Sequence, residues 1–218
     1  MVNYVDHLSD VQQHLHQCPD PTAIKAWNDA IIDICKTTRL WKEVLSEVPL
    51  SEGLNQYDLQ LSRNRSGVKI GGVTNVLHGE KDLIATKYEA VLRRIGGDFG
   101  NSRPTHFAQL TANELFLTPT PDETSTDKGI VVSVYLVPTI GAKALDDNIF
   151  EKVREASIHG ALQRLLTMPR MRWTNRSAAD YHADQYRFKK ATLRVESELT
   201  EATVDLAADV SAGVALWA

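Results

Sequence analysis

The segment Asp180 to Asp184 contains the residue types of a general acid–base site, because His182 lies between two carboxylates. An imidazole exchanges protons near neutral pH, and a carboxylate can orient it. The segment is predicted to be helical, however, and residues four apart on a helix share a face. Asp180 and Asp184 would therefore lie together while His182 points elsewhere, which argues against a catalytic relay.

Two standard catalytic motifs are missing from the chain, since neither G-x-S-x-G nor H-E-x-x-H occurs. We therefore expect a protein that is not an enzyme. A small soluble enzyme that uses residues 180–184 is the least favoured alternative.

A second set of possible ligands lies towards the N-terminus: His14, His16, Cys18 and Cys35. The spacing His-x-His-x-Cys matches no standard zinc pattern, and Cys35 falls within a predicted helix. The cysteines are expected to be structural thiols, and neither a metal nor another cofactor is predicted. Because two cysteines cannot form a disulfide framework in a chain of this length, a reducing compartment is the simpler interpretation.

Paired glycines at 71–72 and 96–97 could suggest a phosphate-binding loop. Neither pair belongs to a G-x-x-x-x-G-K-[ST] run, and neither opens a helix as G-x-G-x-x-G. Both pairs are expected to mark turns or bulges.

Basic side chains concentrate in the C-terminal third, next to an aromatic residue. The candidates for a subunit interface or a channel surface are Arg164, Arg170, Arg172, Trp173, Arg176, Lys189 and Lys190. Contact with a nucleic-acid backbone is the alternative, since phosphates attract basic groups. The formal net charge of −4, from 24 basic and 28 acidic residues, argues against a protein that coats nucleic acid.

The elements that would position these residues are helical at both ends of the chain and β-rich between them. An apolar stripe predicts a helix from Ile24 to Leu45, preceded by a short helix over 2–17. Period-two alternation and turn residues predict strands around 57–61, 68–77 and 129–137, and a hairpin from Thr105 to Leu117. Residues 87–95 fit either a helix or a strand.

The C-terminal part reads as a helical hairpin broken at Met168-Pro169. Thr174 or Asn175 is expected to cap its second helix, which would end near Glu198. Gly160 costs about 1 kcal/mol relative to alanine inside a helix, so we expect it at a close helix crossing, either within a subunit or between subunits.

The predicted fold is α+β: a mostly helical bundle core, an inserted antiparallel β-rich domain and an extended C-terminal tail. The boundaries are 1–47 for the N-terminal helices, 48–140 for the insertion, 141–199 for the C-terminal helices and 200–218 for the tail. No apolar run reaches the roughly 18 residues needed to cross a bilayer, and no export signal is visible, so no membrane contact is expected.

This layout resembles the head-to-tail connector, or portal adaptor, proteins of tailed bacteriophages. The resemblance rests on residues 30–45 with their Cys-x-x-Thr-Arg-x-Trp pattern, on 48–50 with 57–59, on 113–121, and on 160–169 followed by Trp173, Ala179, Tyr181 and Phe188. Together these segments span most of residues 24–195.

The resemblance implies a structural protein of the virion, assembled in the host cytoplasm and located at the capsid vertex in the neck. It implies a dodecameric homo-oligomeric ring that binds the portal protein, extends the DNA channel and carries tail, nozzle or tail-tube proteins. DNA would pass through without sequence-specific binding. A tail-tube or tail-terminator component is the alternative.

On this interpretation the apolar tail is the natural portal-docking arm, since such a segment can become ordered on binding around a large aromatic anchor. Its predicted docking residues are Val210, Val214, Leu216 and Trp217.

Overall fold

The computed structural model describes residues 1–15, 17–61, 67–95, 101–122 and 129–214. The chain forms two compact units. Unit 1 comprises Met1–Leu40 with Pro138–Ala218, and unit 2 comprises Trp41–Val137. The predicted insertion spans residues 48–140, whereas unit 2 begins at Trp41 and ends at Val137.

Both helices and strands are present, as an α+β fold requires. In chain order the helices are α1 (Ser9–Gln12), α2 (Asp20–Thr38), α3 (Tyr88–Ile95), α4 (Asp147–Leu166) and α5 (Arg176–Val214), with a 3-10 turn at Tyr4–His7. The strands are β1 (Val2–Asn3), β2 (Lys42–Val44), β3 (Gln56–Asp58), β4 (Val68–His78), β5 (Lys81–Asp82), β6 (Ile84–Ala85), β7 (His106–Gln109), β8 (Glu114–Thr118), β9 (Ile130–Pro138) and β10 (Ala144–Leu145).

Unit 1 is organised around helix α2, which packs against both α4 and α5. Its apolar stripe supplies Trp27, Ile31 and Ile34, none of which is exposed to solvent. The indole N–H of Trp27 donates to the Ser157 hydroxyl at 2.7 Å, so the polar end of the ring is satisfied in the core. The N- and C-terminal segments of the chain thus contact each other through α2, α4 and α5.

The predicted helix through Trp41 and Leu45 is wrong beyond Thr38. Arg39 adopts a left-handed conformation (φ 52°), and its N–H closes the last turn on the Cys35 carbonyl at 3.0 Å. The apolar spacing continues past this point, but Trp41 begins unit 2 and Lys42–Val44 forms a strand.

The predicted helix over residues 2–17 is also largely wrong, because long-range pairing overrides local preference. Strand β1 pairs antiparallel with β10, and the Tyr4 N–H donates to the Lys143 carbonyl at 2.9 Å. Among the residues of this segment that the structure describes, which leave out His16, only the single turn Ser9–Gln12 is α-helical.

The C-terminal hairpin of helices forms where the sequence predicted it. Helix α4 ends at Leu166 and α5 begins at Arg176, with the Asn175 side chain accepting a hydrogen bond from the Ala178 N–H at 3.1 Å. The extended tail from residue 200 is wrong as far as Val214, since α5 continues to that residue. Four alanines and Leu206 in this stretch favour a helix, since both residue types have high helix propensity.

Gly160 lies at a close helix crossing within the chain, as predicted from its position inside a helix. A Cβ at this residue would lie 2.7 Å from Cε2 of Tyr186 on α5 and 2.9 Å from Cβ of Ala30 on α2. Both distances are below van der Waals contact. The missing side chain is therefore what lets α4 approach both neighbouring helices.

Unit 2 contains two four-stranded sheets, with strand orders β2-β9-β4-β5 and β3-β8-β7-β6. The predicted hairpin is confirmed, since β7 and β8 pair antiparallel with Phe107 opposite Leu117. The insertion is not wholly antiparallel, because β6 pairs parallel with β7. Helix α3 lies in the connection between β6 and β7, as a parallel pair requires. Residues 87–95, which fitted either a helix or a strand from the sequence, are therefore helical over Tyr88–Ile95.

The glycine pair at 71–72 allows an aromatic ring to lie on strand β4. A Cβ at Gly71 would lie 2.3 Å from Cε2 of Tyr135, and a Cβ at Gly72 would lie 2.8 Å from Cε1 of the same ring. The pair therefore serves packing, while Gly96 and Gly97 lie outside the described residues.

We predict that Gly160→Ala destabilises the protein by about 1 to 3 kcal/mol, because overpacking at the α2–α4–α5 crossing outweighs the gain in helix propensity. Thermal unfolding should show a transition several degrees below that of the wild type. Gly141→Ala is the matched control, since a Cβ there meets nothing within 4 Å. A stable Gly160→Ala variant would show that the crossing is not tightly packed.

Candidate functional site

Three histidines from three segments of unit 1 converge on one surface cleft. His182 of α5 is buried, and its Nδ1 lies 2.8 Å from Nδ1 of His159 on α4. The ring of His14, which follows α1, lies 5.8 Å from that of His182 in an edge-on arrangement. The hydrogen bond between the imidazoles requires one ring to donate and the other to accept, so at least one must be neutral.

The cleft has a volume of about 540 Å³ and carries both signs of charge. Its lining residues are Asp10, Gln13, His14, Glu151, Arg154, Glu155, Ile158, His159, Leu162, Tyr181 and His182. Arg154 forms an ion pair with Asp10 at 2.7 Å, and Lys189 forms one with Glu155 at 2.6 Å. Three of the charged residues that line the cleft, Asp10, Arg154 and Glu155, are thus paired within the chain.

The histidine pair favours its uncharged form. Burial lowers the pKa of His182, and the neighbouring His159 and His14 lower it further. Burial also lowers the pKa of His159, helped by the positive charge of Lys189. Protonating both rings would bring two like charges together and remove their hydrogen bond. The arrangement is therefore more stable at neutral or alkaline pH than at acidic pH.

The cleft does not assemble the catalytic relay considered from the sequence. Asp180 and Asp184 are exposed while His182 is buried, and Asp184 pairs with Arg187 at 3.1 Å. The prediction that His182 points away from both carboxylates is confirmed. Its partner is a histidine 23 residues earlier in the chain, which no local pattern could reveal.

The cysteines are buried free thiols, and Cys35 lies within α2 as predicted. Burial raises the pKa of Cys35 to about 12, and it raises that of Cys18 as well. Both thiols are therefore protonated at neutral pH. Among the described residues, which exclude His16, no three His, Cys, Asp or Glu side chains are placed to hold a metal ion.

Two of the predicted basic residues surround Tyr186 in the helix crossing. The Tyr186 hydroxyl donates to Asp33 at 2.6 Å, and Lys190 donates to the same carboxylate oxygen at 2.9 Å. Arg164 lies over the Tyr186 ring at 5.6 Å from its centre and donates to the Gly160 carbonyl at 2.8 Å.

Burial alone would raise the pKa of Asp33, but the hydrogen bonds from Tyr186 and Lys190 outweigh it and hold the pKa below its usual range. Arg164 and Lys190 therefore stabilise the crossing.

The remaining predicted basic residues divide between internal contacts and the surface. Arg172 donates to the side chain of Gln17, and the Trp173 indole donates to the Leu165 carbonyl at 3.1 Å. Arg170 and Arg176 are exposed at the turn between α4 and α5. Arg170 and Arg176 are thus the predicted basic residues that remain accessible to a partner.

The predicted docking residues of the tail fall at the end of the described chain. Leu216 and Trp217 lie outside the described residues. Val210 and Val214 belong to helix α5, but their side chains are also outside the described part. Their role in docking stays a prediction.

An exposed apolar stripe on α5 is the feature that sequence reasoning missed. Tyr181, Phe188, Val195 and Leu199 are 59%, 69%, 53% and 61% exposed. Tyr181, Phe188 and Val195 repeat every seven residues, and this spacing could have revealed the stripe. Periodicity alone, however, does not tell whether an apolar face of a helix is buried within the chain or exposed.

Comparison with known families decides the relationship. The model of the SU10 adaptor protein family matches residues 2–211. The chain belongs to the SU10 adaptor protein family. Among curated proteins, none matches the sequence significantly.

The SU10 adaptor family is of the bacteriophage head–tail adaptor type, and its members are structural rather than catalytic. The protein is accordingly a structural component of a virion. In the described part of the chain, no helix combines the length and apolar character needed to span a bilayer.

We predict that the protein loses stability as the pH falls from 7.5 to 5.5. The pKa values of His159 and His182 are lowered in the folded state, so the unfolded chain binds protons first as the pH drops below about 6.5. The stabilisation is complete above that value and is lost towards the folded pKa. The range also lies above the ordinary carboxyl pKa of about 4.

Thermal unfolding at each pH measures the effect, and His182→Gln should flatten the dependence. His7→Gln is the control, because His7 lies against Phe150 outside the cluster and its loss leaves the three imidazoles in place. Equal slopes for His182→Gln and the wild type would contradict the assignment.

Proposed function

We propose that this protein is the head-to-tail adaptor of a tailed bacteriophage: a homo-oligomeric, dodecameric ring that binds the portal at the capsid vertex. The match to the adaptor family over residues 2–211 carries the proposal. In this role the ring extends the DNA channel and offers an attachment surface to tail, nozzle or tail-tube proteins.

The division of the chain supports this role. Helix α5 has 39 residues, so it is about 58 Å long. Among its side chains that the structure describes, residues 176–199, the buried ones are Ala179, His182 and Tyr186. A helix much longer than its buried face has surface left for other molecules. The second unit, Trp41–Val137, has its own sheets and core, so each unit can serve a different neighbour.

The charge of the chain agrees with a passage for DNA. A ring that gripped phosphates would slow the movement of DNA through it, since each neutralised phosphate adds affinity. The net charge is −4, and four of the predicted basic residues are engaged within the chain: Arg164, Arg172, Lys189 and Lys190. DNA thus passes without sequence-specific binding.

The C-terminal end is the proposed docking arm for the portal. Residues 200–218 lack lysine and arginine and end in Leu216-Trp217-Ala218. A tryptophan such as Trp217 is a strong anchor because it buries a large apolar area. Since α5 continues to Val214, the arm is a helical extension followed by a short apolar end.

We predict that deleting Gly213–Ala218 weakens portal binding at least tenfold and leaves the fold intact, because the anchor is lost while α5 keeps its first 37 residues. Negative-stain imaging of the protein mixed with its portal should show capped portals for the full chain only. Deleting residues 200–218 should abolish the caps.

The matched pair Trp217→Ala and Trp217→Phe tests the anchor itself, and only the alanine variant should lose affinity. Unchanged binding by every truncated form would reject the docking arm. Rings that form but never bind a portal would favour a tail-tube or tail-terminator component.

A further inference from the structure

The apolar stripe on α5 consists of Tyr181, Phe188, Val195 and Leu199. On a helix with 3.6 residues per turn these four side chains fall within an arc of about 40° and extend over about 27 Å. The buried residues Ala179, His182 and Tyr186 point roughly 150° away from them. Over residues 176–199, helix α5 thus has one buried face and one exposed apolar face, and the described part of the chain covers only the first.

The stripe is a row of exposed side chains along one line of the helix. From the exposed fractions, the four side chains present on the order of 450 Å² of surface. Polar residues such as Asp184 and Thr192 lie between them, so it is the alignment of the four side chains that points to a partner. A stable interface buries about 800 Å² on each partner, so the stripe would supply roughly half of that area and its flanks the remainder.

The charges beside the stripe indicate what kind of molecule covers it. Asp184 pairs with Arg187 at 3.1 Å, and Arg194 pairs with Glu198 at 2.9 Å, all along one flank. Residues 176–199 contain five basic and four acidic residues. This balanced border offers no basic track for a nucleic acid and no basic rim for an anionic membrane.

We infer that a second copy of this chain covers the stripe, so that α5 provides a contact between subunits. Two copies with balanced, internally paired charges meet without repulsion, whereas a surface of one sign would repel its own copy. The aromatic content of the stripe is also typical of the buried centre of protein interfaces. The inference rests on the proposed ring, and it names the surface that joins its subunits.

Sedimentation velocity of the purified full chain, from micromolar to near-millimolar concentration, tests the inference. The wild type should self-associate, and Phe188→Glu and Val195→Glu should each raise the apparent dissociation constant at least tenfold. Oligomers larger than a dimer would show that the stripe meets a different face of its neighbour, as a ring requires, and would support the inference. A closed dimer, in which two stripes meet, would place the stripe outside the ring contact and overturn the inference.

Ile140→Glu is the matched control, because Ile140 is an exposed apolar residue of the same unit that lies outside α5. It should self-associate like the wild type. Circular dichroism and thermal unfolding should show that all three variants remain folded, which the exposure of the substituted side chains favours. A wild type that stays monomeric throughout the concentration range overturns the inference.

Portal binding measured on the same variants separates this inference from the proposed function. A Phe188→Glu variant that loses self-association while single subunits still bind the portal supports a contact between copies. A variant that self-associates normally but no longer binds the portal assigns the stripe to the portal and overturns the inference, while the adaptor function stands. Failure of every form to bind the portal, with self-association as predicted, rejects only the adaptor function.

Discussion

The close crossing of α2, α4 and α5 at Gly160 is the constraint on which unit 1 depends. Without a side chain at that position, the Tyr186 ring packs directly on the α4 backbone, and its hydroxyl reaches the Asp33 carboxylate. Lys190 binds the same carboxylate. One missing methyl group therefore permits a hydrogen-bonded contact that joins residues more than 150 positions apart in sequence.

The same crossing determines which basic residues are available to partners. Because Arg164 and Lys190 are held against Tyr186, and Lys189 against Glu155, they stabilise helix packing. Arg170 and Arg176 remain exposed at the turn. A basic cluster that looks continuous in sequence is thus divided by the fold into internal contacts and a small accessible part.

Sequence reasoning succeeded where the determinant is local. Met168-Pro169 and Asn175 defined the break between α4 and α5, and Gly160 signalled a close approach because glycine is otherwise unfavourable within a helix. Sequence reasoning failed where the secondary structure depends on an unusual backbone conformation or on pairing with a distant segment. Arg39 ends α2 in a left-handed conformation without glycine, and β1 forms because β10 pairs with it. The cleft histidines come from segments that only the folded chain brings together.

The properties of α5 follow from how little of it the chain itself covers. Isolated helices are marginally stable in water, and most helical stability in proteins comes from packing of an apolar face. Over residues 176–199 of α5 the buried side chains end at Tyr186, while Phe188, Val195 and Leu199 face solvent. Beyond Tyr186 the half-buried side chains are Lys189, Lys190, Leu193 and Ser197. Residues 187–199 therefore lack most of the packing that usually stabilises a helix, and their intrahelical ion pairs contribute only tenths of a kcal/mol each. A neighbouring molecule on the stripe would supply the missing packing. Assembly and helix stability would then be coupled, with the anchored first turns positioning the remainder for its partner.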